Sequence, residues 1–133
     1  MTSRLIVLDA SVGVKWFALE AGRDEALSLL HQAAAGDVTL VVPDLFVYEV
    51  VRTVKRKARD VSARRAADLL TSAGLVTVPP VAHVLEAALD QATALGCDLY
   101  GACAPAIASL LGADLYSADR RAHAGFPGVR LIG

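Results

Sequence analysis

Cysteine is scarce in this chain, which holds only Cys97 and Cys103, six positions apart. That spacing matches no zinc pattern, and two thiols are a poor disulfide framework. Both are expected to be reduced and inert, as in a cytosolic protein. Long apolar runs are missing too. The run Leu5 to Leu8 is too short for a signal peptide, and no stretch approaches the ~20 residues of a membrane helix. Even the uncharged segment 99–113 is interrupted by Pro105. The expectation is a soluble, cytoplasmic protein that makes no use of a membrane. Net charge is −1, so no global basic field draws in nucleic acid. There is no G-x-G-x-x-G or G-x-x-x-x-G-K-[ST], which removes the usual nucleotide-binding readings. Nor is there a G-x-S-x-G elbow to support a serine hydrolase.

Charged residues make up only 20% of the chain while 55% is apolar, with a mean hydropathy of +0.48. Its 133 residues suit one domain spanning 1–133, since a second would be smaller than most autonomous cores. Two readings of the thin charged surface stay open. Either a partner, a second copy or another chain, covers apolar surface, or the core is simply rich in Ala and Val.

Leu5-Ile6-Val7-Leu8 is a continuous apolar run ending at Asp9, the pattern of a strand buried on both faces of a parallel sheet. Helical patterns follow from Ala10 to about Ala18 and from about Arg23 to Ala35, where Gly36 stops the second. Val38 to Val42 reads as a strand closed by Pro43, and Asp44 as the N-cap of a long helix carrying Glu49. A further helix is expected near Ser62 to Gly74, a strand at Leu75 to Val78, and a helix over 82–95 stopped by Gly96. After another helix come the strand-like Asp114–Ser117 and Val129–Ile132. This alternation predicts an α/β domain with a mainly parallel sheet.

Ligands of such sheets bind outside the carboxyl ends of the strands. Asp9 ends the first strand, Asp119 follows the strand-like 115–117 by two residues, and Glu49 lies in the second turn of its helix. An oxygen-only set of this kind suits a hard cation such as Mg²⁺, which keeps several waters and takes a substrate phosphate. Such an ion polarises a phosphoryl group and supplies hydroxide near neutral pH. Singly, each acid has a plainer role as a helix cap or a surface charge. Seven of the thirteen basic residues (Arg52, Lys55, Arg56, Lys57, Arg59, Arg64 and Arg65) crowd into one stretch. That stretch is either a solvated helix face or a phosphate-contacting surface. His31, His83 and His123 show no ligand spacing and are read as structural or surface residues. Trp16 and Phe17 are read as core or dimer surface, and Glu20 as a surface charge near the acids.

Several of these pieces resemble one family. Leu5-Ile6-Val7-Leu8-Asp9-Ala10-Ser11-Val12-Gly13-Val14-Lys15-Trp16-Phe17 looks like the opening of VapC-type PIN domains: an apolar strand, Asp-Ala-Ser, and a Val-Lys-Trp-Phe helix. Pro43-Asp44-Leu45, with Glu49 five residues after Asp44, resembles their second motif. Ser117-Ala118-Asp119-Arg120-Arg121 resembles their late Thr/Ser-x-Asp motif. The order and spacing match over essentially the whole chain. The resemblance implies a PIN-like three-layer α/β/α sandwich, dependence on Mg²⁺ or Mn²⁺, cleavage of RNA, a homodimer, and neutralisation by a VapB-like antitoxin. Carried over by position, Asp9, Glu49 and Asp119 would be the catalytic acids, and Ser11 and Ser117 supporting hydroxyls. On the reading of the residues themselves, Asp98 would join Asp9 and Asp119 in holding the metal, and Arg52, Lys55, Arg56 and Arg59 of the basic stretch would engage the RNA backbone.

Two positions depart from the family. Where its members have Tyr-Asp-Ala, supplying a further acid, this chain has Tyr100-Gly101-Ala102. Arg52 stands where Asn is often found. Asp98, three residues before Gly101, is open to two roles: a helix N-cap, or a substitute ligand acting directly or through water. Pro105 lacks the N–H that would bond the carbonyl of residue 101, so the helix either starts late or is kinked. These departures support an alternative, a degenerate PIN domain that binds RNA or a partner protein without cutting. In that reading Arg52 neutralises Glu49.

Overall fold

The computed structural model describes residues 3–133. Strands and helices alternate as β1 (Arg4–Leu8), α1 (Ala10–Gly13), α2 (Arg23–Ala34), β2 (Val38–Pro43), α3 (Leu45–Lys57), α4 (Asp60–Ser72), β3 (Val76–Val78), α5 (Ala82–Leu95), α6 (Leu99–Leu111), β4 (Asp114–Ser117), α7 (Arg120–His123) and β5 (Arg130–Leu131). The strands form one parallel sheet in the order β3-β2-β1-β4-β5.

The apolar run that opens the chain is central because it is apolar on both faces: Ile6, Val7 and Leu8 are fully buried. Successive strand residues point to opposite sides. Ile6 and Leu8 join Leu40, Val42 and Tyr116 in a core covered by α1 to α4. Val7, Val41 and Leu115 point the other way, onto Val84 of α5 and Ala104, Ile107 and Ala108 of α6. The result is the expected α/β/α sandwich.

Several boundaries differ from the sequence reading. The first helix is α-helical for only four residues and tightens into a 3-10 turn over Val14–Trp16. Trp16 is a core residue, its Nε1 donating to the Ala26 carbonyl at 2.9 Å. The fourth helix starts at Asp60 rather than near Ser62, and the Asp60 carboxylate accepts from Arg64 one turn on at 2.8 Å. Asp44 precedes α3 but does not cap it: its backbone is already helical (φ −59°, ψ −32°) and its side chain makes no capping bond. Its N–H bonds the Val78 carbonyl at 3.1 Å instead, so the turn is tied to the end of β3. Leu75 lies outside β3, and Val129 and Ile132 outside β5. The helix after Gly96 does not start late: α6 begins at Leu99 and contains Pro105 in its interior.

Gly13 brings α1 against α3. A Cβ there would stand 2.5 Å from Phe46 Cζ and 2.9 Å from Val50 Cγ2. Phe46 and Val50 are fully buried and flank Glu49 in sequence. The bare glycine therefore lets α1, the short helix that Asp9 caps, pack closely against the helix that carries Glu49. Among the described residues, no single helix is long and apolar enough to cross a membrane.

Candidate acidic active site

Successive connections run outward from β1 to β2 and β3 on one side, and β4 and β5 lie on the other. The strand order therefore switches direction between β1 and β4, where the loops part and leave a crevice at the carboxyl ends. Asp9 leaves β1 and Asp119 follows β4 at this point. A cleft of about 450 Å³ opens there, and its lining includes Asp9, Ser11, Glu49 and Asp119. The three acids singled out from the sequence thus meet in one place.

The two supporting serines tie the turns together. Ser11 Oγ donates to Asp9 Oδ2 at 2.5 Å, and the Ser11 N–H bonds the same oxygen at 3.0 Å. Ser11 Oγ in turn accepts the Ala118 N–H at 2.9 Å, linking Asp9 to the loop after β4. Ser117 is fully buried, and its Oγ accepts the Asp119 N–H at 3.0 Å. Asp119 Oδ1 caps α7 by accepting from the Ala122 N–H at 3.1 Å. Among the described residues, Asp9 Oδ1 and Asp119 Oδ2 accept no hydrogen bond and remain available to a ligand.

Glu49 is half-buried, and its carboxyl is pushed up to about 7. Loss of hydration is the main cause, and the charges of Asp9 and Asp98 add to it. Arg52 pulls the other way with the smallest influence, and it forms no ion pair with Glu49 among the described residues. The guanidinium therefore does not neutralise this carboxylate.

Asp98 flanks Glu49 on the far side, where both line a second groove with Leu45, Tyr48, Arg52 and Tyr100. Its N-cap role is realised, Oδ1 accepting from the Gly101 N–H at 2.7 Å. Gly101 offers the site no side chain. Among the described residues, no group of three or more His, Cys, Asp or Glu side chains is placed to hold a metal ion. The donor set still fits a hard divalent cation. Mg²⁺ commonly takes one or two carboxylates and fills its remaining positions with water and phosphate. Asp9 and Asp119 each have a free oxygen, and the charges of Asp9 and Asp98, which add to the effect of burial on Glu49, are what such a cation relieves.

Opposite the acids the cleft turns basic, with Lys15, Glu20, Thr53 and Lys57 in its lining. Glu20 bridges both lysines, at 3.3 Å to Lys15 and 2.5 Å to Lys57, and its carboxyl is lowered chiefly by the bond from Lys57. It is thus a partner for the lysines rather than a surface charge. Lys57 belongs to the basic stretch but not to the four cations assigned to the RNA backbone, although Glu49, Thr53 and Lys57 recur at four-residue spacing on one helix face. Of those selected, Arg52 lines the groove beside Glu49, whereas Lys55, Arg56 and Arg59 are exposed and line neither space. Cys97 and Cys103 are unpaired, and burial raises both thiols, so neither is an activated nucleophile.

A model of the PIN domain matches residues 6–126. No curated protein matches in sequence. Solved structures share the fold at low identity. VapC20 of Mycobacterium tuberculosis, a sarcin-ricin-loop-cleaving toxin, is similar at TM-score 0.72 and 19% identity, with 94% of this chain and 98% of that chain covered. The toxin–antitoxin complex from Klebsiella pneumoniae gives 0.68 at 20%, covering 93% and 94%. VapBC2 of Rickettsia felis, bound to a promoter DNA fragment, gives 0.68 at 16%, covering 96% of each chain. The chain belongs to the PIN domain family, and its fold matches that of VapC toxins of toxin–antitoxin systems.

Proposed function

We propose that this protein is a metal-dependent endoribonuclease of the VapC kind, which hydrolyses RNA phosphodiester bonds and is neutralised by a VapB-like antitoxin. The meeting of Asp9, Glu49 and Asp119 in one cleft at the sheet's switch point carries the reading. The free oxygens of Asp9 and Asp119 would hold Mg²⁺ or Mn²⁺, and Asp98, beyond Glu49, would add a further acid to that set. When bound, the cation supplies Lewis acidity toward the phosphate and lowers the pKa of water. Glu49 completes the acidic wall, and Ser11 and Ser117 fix the two turns that bear the aspartates. Lys57, on the face of α3 shared with Glu49, offers a cation to a backbone phosphate in the cleft. Arg52, Lys55 and Arg56 on α3, with Arg59 in the connection to α4, extend that basic surface.

A homodimer belongs to this reading and is supported by the exposed apolar side chains Leu85, Leu89 and Leu99 of α5 and α6. The competing reading, an RNA- or protein-binding domain without nuclease activity, rests on Gly101, which leaves one family acid without a replacement at its own position. Expression in a bacterial host separates them. The nuclease reading predicts growth arrest, relief by a short neighbouring gene product with an N-terminal DNA-binding motif, and no arrest by Asp9→Asn. Unimpaired growth at full expression, with intact cellular RNA, would contradict it.

A further inference from the structure

The helix α6 contains a proline whose cost is met from outside the helix. Pro105 has no N–H, so the carbonyl of Gly101, four residues back, has no partner within α6. A part-buried carbonyl left in that state is destabilising, because it has given up water without gaining another donor. His123 of α7 fills the gap: it is fully buried, and its Nε2 lies 2.6 Å from the Gly101 oxygen. Its other nitrogen, Nδ1, lies 2.6 Å from Ser117 Oγ.

These distances assign the protons. A carbonyl oxygen only accepts, so Nε2 carries the hydrogen. In the neutral ring Nδ1 then accepts, and the single Ser117 hydroxyl proton points to it. That leaves the lone pairs of Ser117 Oγ facing the Asp119 N–H, which donates to it at 3.0 Å. The other hydroxyl in reach, Ser11 Oγ at 3.5 Å, has its own proton on Asp9. The Gly101 peptide is held at both ends, its N–H by Asp98 at 2.7 Å and its carbonyl by His123. A hydrogen-bonded path therefore runs from Asp98 through Gly101, His123 and Ser117 to Asp119.

We propose that His123 is a positioning residue of the acidic cleft, anchored by the carbonyl that Pro105 leaves free, and that it holds the Asp119 turn in place through Ser117. At the turn where the family carries an acidic side chain, this chain offers a backbone carbonyl as a mechanical link. The part of this inference that concerns metal rests on the proposed function; the hydrogen-bond path does not.

The test uses His123→Phe, which keeps a buried ring and removes both bonds, alone and combined with Pro105→Ala. The second change returns an N–H to the helix, so the Gly101 carbonyl regains a partner. Thermal unfolding, Mn²⁺ affinity by calorimetry, and hydrogen exchange of the Asp119 amide are read on each protein. His123→Phe is expected to unfold earlier, to bind Mn²⁺ 10-fold or more weakly, on the scale of losing a partner that orients a metal ligand, and to lose protection at Asp119. The double variant is expected to recover thermal stability while both other defects persist. Recovery of Mn²⁺ affinity and Asp119 protection along with stability would reduce His123 to a structural plug and overturn the proposal. Ring ¹⁵N shifts of the native protein must also show the Nε2–H tautomer, and the Nδ1–H form would overturn it as well. If the native protein binds no Mn²⁺, the metal-dependent function fails, and the Asp119 exchange and the tautomer still decide the positioning role.

Discussion

Replacing Glu49 with Gln should stabilise the metal-free protein, and only above acidic pH. Burial and the neighbouring carboxylates push the carboxyl up to about 7 in the fold, from an ordinary value of 4.5. Between those values the unfolded chain has released a proton that the folded one still holds. Stability therefore falls as pH rises through this window and stays reduced above it. A shift of that size would correspond to ~3 kcal/mol for a deeply buried group. Glu49 is only half-buried, and solvent screening reduces the expected deficit to ~1–2 kcal/mol. Gln keeps the shape and removes the charge. In chelator-treated protein the two should unfold together near pH 4, and Glu49→Gln should unfold later at pH 8, by roughly 3–5 °C for each kcal/mol. Mg²⁺ or Mn²⁺ should reverse the order at pH 8, because a cation that binds only the folded state stabilises it and the variant binds less of it. Scanning calorimetry from pH 4 to 8, with and without metal, reads all of this. Melting curves that stay parallel across the range would refute the electrostatic account of the site.

Gly13→Ala should cost about 1–3 kcal/mol, the usual range for overpacking, because its methyl group would meet Phe46 and Val50 where neither has room to move. Urea unfolding measures it, and a cost under 0.5 kcal/mol would show that α3 yields freely. Asp98→Ala should cost about 1 kcal/mol as a lost N-cap and should also weaken Mn²⁺ binding. Unchanged affinity in calorimetry would leave Asp98 as a cap alone. Lys57→Ala should shallow the salt dependence of single-stranded RNA binding by about 0.7 in the log–log slope, one phosphate contact's worth. An unchanged slope would place the RNA elsewhere.

The sheet was legible because its central strand is apolar from Leu5 to Leu8. Ile6, Val7 and Leu8 announce burial on both faces, and Asp9 and Asp119 announce the sheet edge by following such strands. Their meeting with Glu49 depends on more. Gly13 reads as an ordinary residue of a family motif until α3 is seen to lie where its side chain would be. Pro105 and Gly101 read as damage to a helix start, because the group that compensates them, His123, lies 22 residues beyond Gly101. Lys57 was within reach of the sequence, since its spacing from Glu49 is helical, but the basic run around it hid which cations share the acidic face. Local pattern reports what a residue does to its own helix or strand. It does not report which distant group completes an unpaired carbonyl or which face closes over a cleft.

Cleavage of RNA by the purified protein tests the central claim most directly. A mixed RNA pool is incubated with the chain in chelator, in Mg²⁺ and in Mn²⁺, beside Asp9→Asn and Asp119→Asn proteins confirmed to be folded. The account predicts discrete fragments with either metal, none in chelator, and a loss of at least 100-fold in rate for each variant. Intact RNA under every metal condition, or cleavage that survives both substitutions, would contradict it.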